Sequence, residues 1–303
     1  MTMTNQPRFG EVLTAMVTPF ASDGSFNIEA ARRLAAYLVE HGSDGLVLAG
    51  TTGESPTLSH DEKLALFENV LDEVGDRAKI IAGTGSPNTA ETIELTKEVA
   101  ALGVDACLVV TPYYSKPPQN GLLAHYRAVA DAVEIPLMLY DIPGRTGRRV
   151  ERPTMIELAG HPNIVANKDA VGDASETAKL RAELDAAGHS DFELYSGDDP
   201  MLVPHLAAGC VGIVSVCSHL IGPQLKQIFS AWNDGKIDEA QRLFTAHLEF
   251  MSVIMGLTAS PIPVKYATGL LGLDVGEPRL PNVPPTDDEA RTIRSAMEKI
   301  GLL

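Results

Sequence analysis

One lysine stands where a buried strand is predicted to end. The stretch IVANKDAVGD, residues 164–173, runs from apolar residues directly into Lys168 and is then broken at Gly172. A lysine held among apolar walls loses hydration, which favours the neutral amine over the ammonium ion. The neutral amine is a nucleophile that can form a Schiff base with a carbonyl substrate. The alternative is a surface lysine just beyond a strand, and the residues at the other strand ends decide between the two.

Hydroxyl, phenol and guanidinium groups follow other apolar runs of the chain. They lie in residues 50–54 (GTTGE), 111–114 (TPYY), 140–145 (YDIPGR), 196–199 (SGDD) and 212–215 (GIVS). Phenols and hydroxyls can move the protons that making and breaking a carbinolamine requires, and backbone N–H groups of a glycine-rich turn can bind a carboxylate. Each segment alone could be an ordinary turn, rim packing or a solvated loop. Together they predict one carbonyl-chemistry site.

Short apolar runs alternate with amphipathic stretches along most of the chain. The runs cover residues 12–20, 45–50, 79–85, 106–114, 136–143, 163–170, 192–199 and 210–216. Most lack polar alternation, which is typical of strands covered on both faces. Asn27 is a candidate cap for the first helix between them, and Asn88 with Glu91 resembles a capping box. Eight strand–helix units predict an α/β fold, a (β/α)8 TIM barrel whose active site lies at the carboxyl ends of the strands.

The strand pattern stops near residue 233. Helical patterns follow near residues 237–251, 262–271 and 287–300. We therefore expect a catalytic barrel over residues 1–233 and a C-terminal helical region over residues 234–303, packed on the barrel.

Composition narrows the class of function. The chain has 303 residues and a net charge of −16, which argues against a nucleic-acid partner. The three cysteines, Cys107, Cys210 and Cys217, lie in apolar stretches and are expected in the core. No signal-peptide core and no membrane-spanning run are found, so a cytoplasmic location is expected. The chain lacks nucleotide-binding and metal-binding motifs, which predicts a carbonyl enzyme without a cofactor or a metal.

Six motifs resemble those of one known family. GTTGES, TPYYSKPPQNG, LYDIPGRTG, KDAVGD, YSGDD and GIVSV occur in the order and spacing of the pyruvate-dependent class I aldolases that include dihydrodipicolinate synthase and N-acetylneuraminate lyase. The resemblance runs from about residue 11 to residue 282. Within the family the pattern is similar to the dihydrodipicolinate synthase branch, in an actinobacterial-like form, because the lyase branch usually lacks the Tyr-Tyr pair and an arginine in this register.

The resemblance implies roles for individual residues. Lys168 would form the Schiff base with pyruvate, and Tyr140 would donate and accept protons. Thr51 and Tyr114 would complete a proton relay, with Tyr114 coming from a neighbouring subunit of a homotetramer.

The resemblance also implies the substrates and where they bind. Thr52 and the backbone at Val214 would hold pyruvate, and Arg145 would bind the carboxylate of aspartate semialdehyde. Gly197 would also belong to the substrate-binding residues. The implied activity is the condensation of these two small molecules in diaminopimelate and lysine biosynthesis. Two alternatives stay open: a related pyruvate aldolase acting on a sugar acid or hydroxy-oxo acid, and a catalytically silent binding protein of the same fold.

Feedback by lysine is the last expectation from the resemblance. His60, Glu91 and Tyr113 match the positions of an allosteric site in inhibitable members. Lys63, Pro56 and Pro87 depart from the pattern of those members. A positive charge would oppose the ammonium group of lysine, and proline offers no N–H. We therefore expect weak inhibition or none.

Overall fold

The structure, a computed structural model of the chain, describes residues 6–303. Eight strands form one closed barrel in sequence order. They are β1 (Val12–Ala15), β2 (Gly45–Leu48), β3 (Lys79–Gly83), β4 (Ala106–Val110), β5 (Leu137–Asp141), β6 (Ile164–Asp169), β7 (Glu193–Ser196) and β8 (Gly212–Ser215). The neighbouring pairs for which a register is defined are parallel. The predicted (β/α)8 barrel is confirmed.

Helices follow the strands and continue beyond the last one. They are α1 (Ile28–Glu40), α2 (His60–Val74), α3 (Thr89–Leu102), α4 (Gln119–Asp131), α5 (Pro143–Thr146), α6 (Arg152–Ala159), α7 (Ala174–Ala186), α8 (Leu202–Ala207), α9 (Ser218–Asn233), α10 (Ile237–Gly256), α11 (Ile262–Leu270) and α12 (Asp287–Lys299). Single 3-10 turns cover Ser55–Thr57 and Asp199–Met201. The predicted C-terminal helical extension is confirmed as α10 to α12.

The strands are buried along nearly their whole length. In β1, β2, β5 and β8 every residue is buried. This burial explains why the runs read as continuous apolar segments without alternation, since side chains on both faces of each strand are covered. The three cysteines are buried and free, as expected. Among residues 6–303, no helix is long and apolar enough to cross a membrane.

The helix starts follow the predicted caps with one exception. The Asn27 side chain accepts a hydrogen bond from the backbone N–H of Ala30 and caps α1. Asn88 caps α3, but its own N–H donates to the Ser86 hydroxyl, so the predicted capping box with Glu91 is wrong. Glu91 instead accepts from the side chains of Ser86 and Asn88. The Ser86 hydroxyl accepts the Asn88 N–H, which in a capping box would donate to the Glu91 side chain.

Internal contacts divide the chain into two compact units. Among the described residues, the first unit comprises residues 6–10 and 81–214, and the second comprises Glu11–Ile80 and Ser215–Leu303. In the second unit α9 packs against β1 and α10, and α12 packs against α10 and α11. The C-terminal helices thus share a compact unit with β1 and β2, and the domain boundary at residue 233 stays a prediction.

Candidate active site

Lys168 and Tyr140 lie side by side in the first unit. They are paired in the register between β5 and β6, and directly paired residues of neighbouring strands point to the same face of a sheet. The Lys168 Nζ atom lies 4.2 Å from the centroid of the Tyr140 ring. Lys168 is 6% exposed and Tyr140 is 4% exposed. The structure therefore places a buried amine against a buried phenol at the carboxyl ends of two adjacent strands.

Gly197 forms one wall beside this lysine. It follows β7 directly, and its N–H donates to the Asp169 carbonyl oxygen at 2.7 Å. A Cβ atom at position 197 would lie 3.1 Å from Cε of Lys168 and 2.9 Å from Cβ of Ala170. Only a residue without a side chain fits here without moving the amine.

A buried hydrogen-bonded pair supports the turn that contains Gly197. The Ser196 hydroxyl donates to the Asp198 carbonyl oxygen at 3.0 Å and lies 2.8 Å from Nδ1 of His205 on α8. Ser196 and His205 are both fully buried. Burial lowers the pKa of His205 from its ordinary value, which favours a neutral imidazole in this contact. The role of His205 was not predicted, because α8 and the end of β7 meet only in the folded chain.

Each of the two reactive strands ends in a buried aspartate. Asp141 and Asp169 are paired in the register and, by the two-residue period of a strand, face away from the reactive side chains. Asp141 accepts from the N–H of Val150, while Asp169 accepts from the Val171 N–H and the Thr177 hydroxyl. Burial raises the pKa of Asp141 to about 7, and the charge of Asp169 adds to the shift. Sequence reasoning missed both, although a carboxylate within an apolar run was a usable signal.

Tyr114 stands apart from the buried pair within a single chain. Its backbone has a φ of 67°, and its side chain is 94% exposed. Thr111 is closer to the reactive strand, since its backbone N–H and its hydroxyl both donate to the Tyr140 carbonyl oxygen at 3.0 Å. The structure thus leaves the Tyr114 phenol available to a second chain.

Arg145 lies on the short helix α5, exposed to solvent. The loop that carries it is tied to the loop that carries Tyr114. The Arg148 guanidinium donates to the Lys116 carbonyl oxygen at 3.0 Å. The side chain of Lys116 crosses Gly147, where a Cβ would lie 2.5 Å from the lysine Cε. These contacts fix the two loops against each other.

Val214 lies in β8 and is buried. Its strand pairs with β7, with Ser196 opposite Ile213. The strand order therefore brings Val214 to the same run of strand ends as Gly197 and Lys168.

Thr51 and Thr52 belong to the second unit and follow β2. Thr52 is buried and Thr51 is half-buried. The Thr51 carbonyl oxygen accepts the N–H of Glu54 at 3.1 Å, and Gly50 accepts the N–H of Ser55 at 3.2 Å. These bonds make the segment a tight turn with a defined shape.

The three residues of the expected allosteric site fall in both units. Glu91 and Tyr113 are near each other in the first unit, where burial raises the pKa of Tyr113 and the negative charge of Glu91 adds to the shift. His60 opens α2 in the second unit and is exposed. Within residues 6–303, no group of three or more His, Cys, Asp or Glu side chains is arranged to hold a metal ion.

Comparison with known proteins places the chain in a family. The profile of the "Dihydrodipicolinate synthetase family" matches residues 8–300. The 4-hydroxy-tetrahydrodipicolinate synthase of Moorella thermoacetica is 47% identical, over 98% of this chain and 100% of that protein. A solved dihydrodipicolinate synthase from Cyanidioschyzon merolae with lysine bound has a TM-score of 0.94 and 44% identity, and covers 98% of this chain and 100% of its own.

A second solved structure is also similar in fold. The chloride-inhibited dihydrodipicolinate synthase from Acinetobacter baumannii, complexed with pyruvate, has a TM-score of 0.92 and 35% identity, over 97% of this chain and 99% of its own. The family profile and these relatives cover nearly the whole chain, including every motif that follows a strand of the barrel. The chain belongs to the dihydrodipicolinate synthetase family.

Proposed function

We propose that this protein is a 4-hydroxy-tetrahydrodipicolinate synthase, a lyase that condenses pyruvate with L-aspartate 4-semialdehyde in diaminopimelate and lysine biosynthesis. The observation that carries the proposal is the buried amine of Lys168 against the Tyr140 phenol at the ends of adjacent barrel strands. Curated synthases are 46–49% identical to the chain over nearly its full length. The chemistry needs no metal and no organic cofactor, because the amine itself activates the carbonyl.

The first half of the reaction makes the nucleophile. The Lys168 amine adds to the keto carbon of pyruvate, and the resulting carbinolamine loses water to give an iminium ion. Tyr140 donates the proton that the departing hydroxide takes up, and Thr51 with Tyr114 of a second copy of the chain returns it. The iminium ion then loses a proton from the former methyl group and becomes an enamine.

The second half forms the carbon–carbon bond. The enamine carbon attacks the aldehyde of the semialdehyde, and the alkoxide that forms takes up a proton. The amino group of the second substrate then attacks the iminium carbon and displaces Lys168 by transimination. This step closes the ring and regenerates the free lysine. The covalent route divides one difficult bond formation into easier steps.

Different residues bind the two substrates. Thr52, the backbone at Val214 and the turn at Gly197 hold pyruvate. Arg145 binds the carboxylate of the semialdehyde, since a guanidinium offers two parallel donors and a permanent charge. Its exposed position on α5 supports this role, because an exposed donor in a chain of net charge −16 supplies a local positive group for an anion.

Assembly and location complete the proposal. The enzyme is a cytoplasmic homotetramer built from two tight dimers, in which Tyr114 of each chain completes the site of its neighbour. The exposure of this phenol supports such an arrangement, since a large aromatic side chain exposed on one chain is available to another.

Borohydride trapping tests the nucleophile. Incubation with pyruvate and borohydride should add a stable mass to the peptide that carries Lys168, and Lys168→Ala should abolish it. The buried Lys265 and the exposed Lys79 serve as internal controls. A label on either control would overturn the assignment. A condensation assay with pyruvate and aspartate semialdehyde then tests the overall reaction, and trapping without condensation would point to another aldehyde substrate.

A further inference from the structure

Glu54 ends the turn that carries Thr51 and Thr52, and its backbone conformation is strained. Its φ is 57° and its ψ is 36°, in the left-handed region that residues with a side chain adopt only when their surroundings enforce it. Its N–H donates to Thr51, and its carbonyl oxygen accepts the Thr57 N–H at 2.9 Å and the Thr57 hydroxyl at 3.0 Å. The conformation of Glu54 therefore sets the shape of the whole turn.

A buried ion pair holds this conformation. Lys265 of α11 donates to one Glu54 carboxylate oxygen at 2.7 Å, and both side chains are 1% exposed. The backbone N–H of Arg279 donates to the other carboxylate oxygen at 2.9 Å. Lys265 also donates to the Glu277 carbonyl oxygen at 3.2 Å. Both oxygens of the carboxylate are thus fixed by the C-terminal part of the chain.

Further contacts of Lys265 and Arg279 surround the turn that contains Glu54. Lys265 Nζ and Arg279 Cζ each lie 4.1 Å from the centroid of the Phe20 ring. The Arg279 guanidinium pairs with Glu62 and donates to the Thr57 carbonyl oxygen at 2.8 Å. Arg279 therefore contacts both the segment that follows the turn and the first turn of α2.

A buried ion pair is a weak source of net stability, because removing two charges from water offsets most of their attraction. It is, however, directional, and a misplaced partner leaves a buried charge unpaired. We propose that the Lys265–Glu54 pair is a positioning device that holds Thr51 and Thr52 in their catalytic geometry from the C-terminal helices. This inference rests on the proposed function through the roles of those two threonines.

Steady-state kinetics of a double variant test the role. Glu54→Gln with Lys265→Met removes both charges at similar volume, so neither is left buried alone. The matched control is Lys226→Met, which breaks contacts of 3.0 Å to Glu11 and Asp44 at the other end of β2. At a temperature where circular dichroism shows both proteins folded, we expect kcat/KM for pyruvate to fall roughly tenfold to hundredfold in the double variant only, since small displacements of reacting groups have effects of this size.

The kinetic constants that change distinguish a displacement of Thr51 and Thr52 from a general loss of activity. KM for aspartate semialdehyde should stay nearly unchanged, because Arg145 belongs to a different loop. Lys265→Arg keeps a charged donor for the Glu54 carboxylate and should retain most activity, whereas Glu54→Ala removes both acceptor oxygens and should not. Should the double variant fail to fold, this pair of single variants decides the question: equal activity in both overturns the proposal.

Hydrogen exchange gives a readout that does not depend on activity. The N–H groups of Glu54 and Ser55 close the turn, so a peptide covering residues 46–58 should exchange faster in the double variant and not in Lys226→Met. Unchanged exchange and kinetics with only a lower Tm would make the pair purely structural. Faster exchange with unchanged pyruvate kinetics would also overturn the proposal. If the wild-type chain does not condense pyruvate with the semialdehyde, the proposed function fails by itself, whatever the exchange shows.

Discussion

Two lysines are buried among residues 6–303, and the groups beside them differ. The Lys265 ammonium group is 2.7 Å from the Glu54 carboxylate, so its charged form has a partner. Burial lowers the pKa of Lys265, while the charge and hydrogen bond of Glu54 oppose that shift. Lys168 faces the ring of Tyr140 instead. Burial alone therefore does not identify a nucleophile, and the identity of the neighbouring group does.

The space beside Lys168 gives the first prediction. In Gly197→Ala the new Cβ would meet Cε of Lys168 at 3.1 Å and displace the amine. We expect pyruvate trapping to slow by about ten- to hundredfold while the fold is kept. The control is Gly256→Ala, at the end of α10, where a Cβ meets nothing within 4 Å. Trapping at the wild-type rate in Gly197→Ala would show that the lysine adapts to the methyl group.

Arg145 gives the second prediction. Arg145→Ala should weaken the use of aspartate semialdehyde by about ten- to hundredfold, because a charge-assisted contact contributes about 1.5–3 kcal/mol. Formation of the pyruvate adduct should be nearly unchanged. Arg127→Ala is the control, since Arg127 is an exposed arginine of α4 that pairs with Glu157 of α6. Equal damage to both steps would assign Arg145 to pyruvate binding or to the structure of its loop.

At the scale of the elements, strands β5 and β6 deliver two groups each. The first residue is the candidate for the chemistry, and the aspartate that follows it accepts hydrogen bonds from backbone or side-chain donors of the next segment. The loop that leads from β5 to α6 depends on Asp141, which accepts the Val150 N–H at 3.1 Å. The protonation state of this carboxyl group therefore bears on the stability of the strand end.

Asp141 gives a prediction of pH dependence. Its folded-state pKa of about 7 exceeds the ordinary value of 3.8, so between these values the unfolded chain releases a proton that the folded chain keeps. Stability then falls as pH rises from about 4 to 7. Asp141→Asn stays neutral and can still accept from Val150. Relative to wild type, its free energy of unfolding should rise by on the order of 2–4 kcal/mol between pH 4 and pH 8.

Urea unfolding at both pH values measures this difference. The exposed Asp191→Asn is the matched control, because it keeps Asp141, and its stability should fall between the two pH values as that of the wild type does. A constant difference between Asp141→Asn and wild type across the range would contradict the raised pKa.

At the scale of the whole molecule, we expect the proposed relay to need two chains. Tyr114 is almost fully exposed in the isolated chain, whereas the amine that it would serve is buried. Mixing Tyr114→Phe and Lys168→Ala subunits should restore part of the activity that each variant lacks. In a mixed dimer, one site would combine an intact lysine with an intact phenol from the other chain. Mixed oligomers confirmed by mass spectrometry but without activity would place the relay within a single chain.

Lysine feedback is the last prediction. A positive charge at Lys63 and the missing N–H of Pro87 should together weaken lysine binding by on the order of 2–3 kcal/mol. We expect weak inhibition in a titration of activity against lysine, and stronger inhibition in Lys63→His, which is largely neutral above pH 7. Half-inhibition of the wild type below about 1 mM lysine would show that these substitutions do not impair the site.

The sequence by itself determined the barrel and indicated the candidate reactive residues. Eight apolar runs and the helical patterns between them are local signals, because the period of a strand or helix is set by neighbouring residues. The position of Lys168 at the end of such a run, and of Thr51 and Arg145 after others, was equally visible. The motifs also indicated the family, because their order and spacing can be read directly from the sequence.

Only the tertiary structure decided which distant groups touch. The register of β5 with β6 places Tyr140 against Lys168, and the turn after β7 brings Gly197 beside the amine. The Lys265–Glu54 pair joins residues 211 positions apart. No local pattern encodes such contacts, since strand register and helix packing are settled by the burial of the whole core at once.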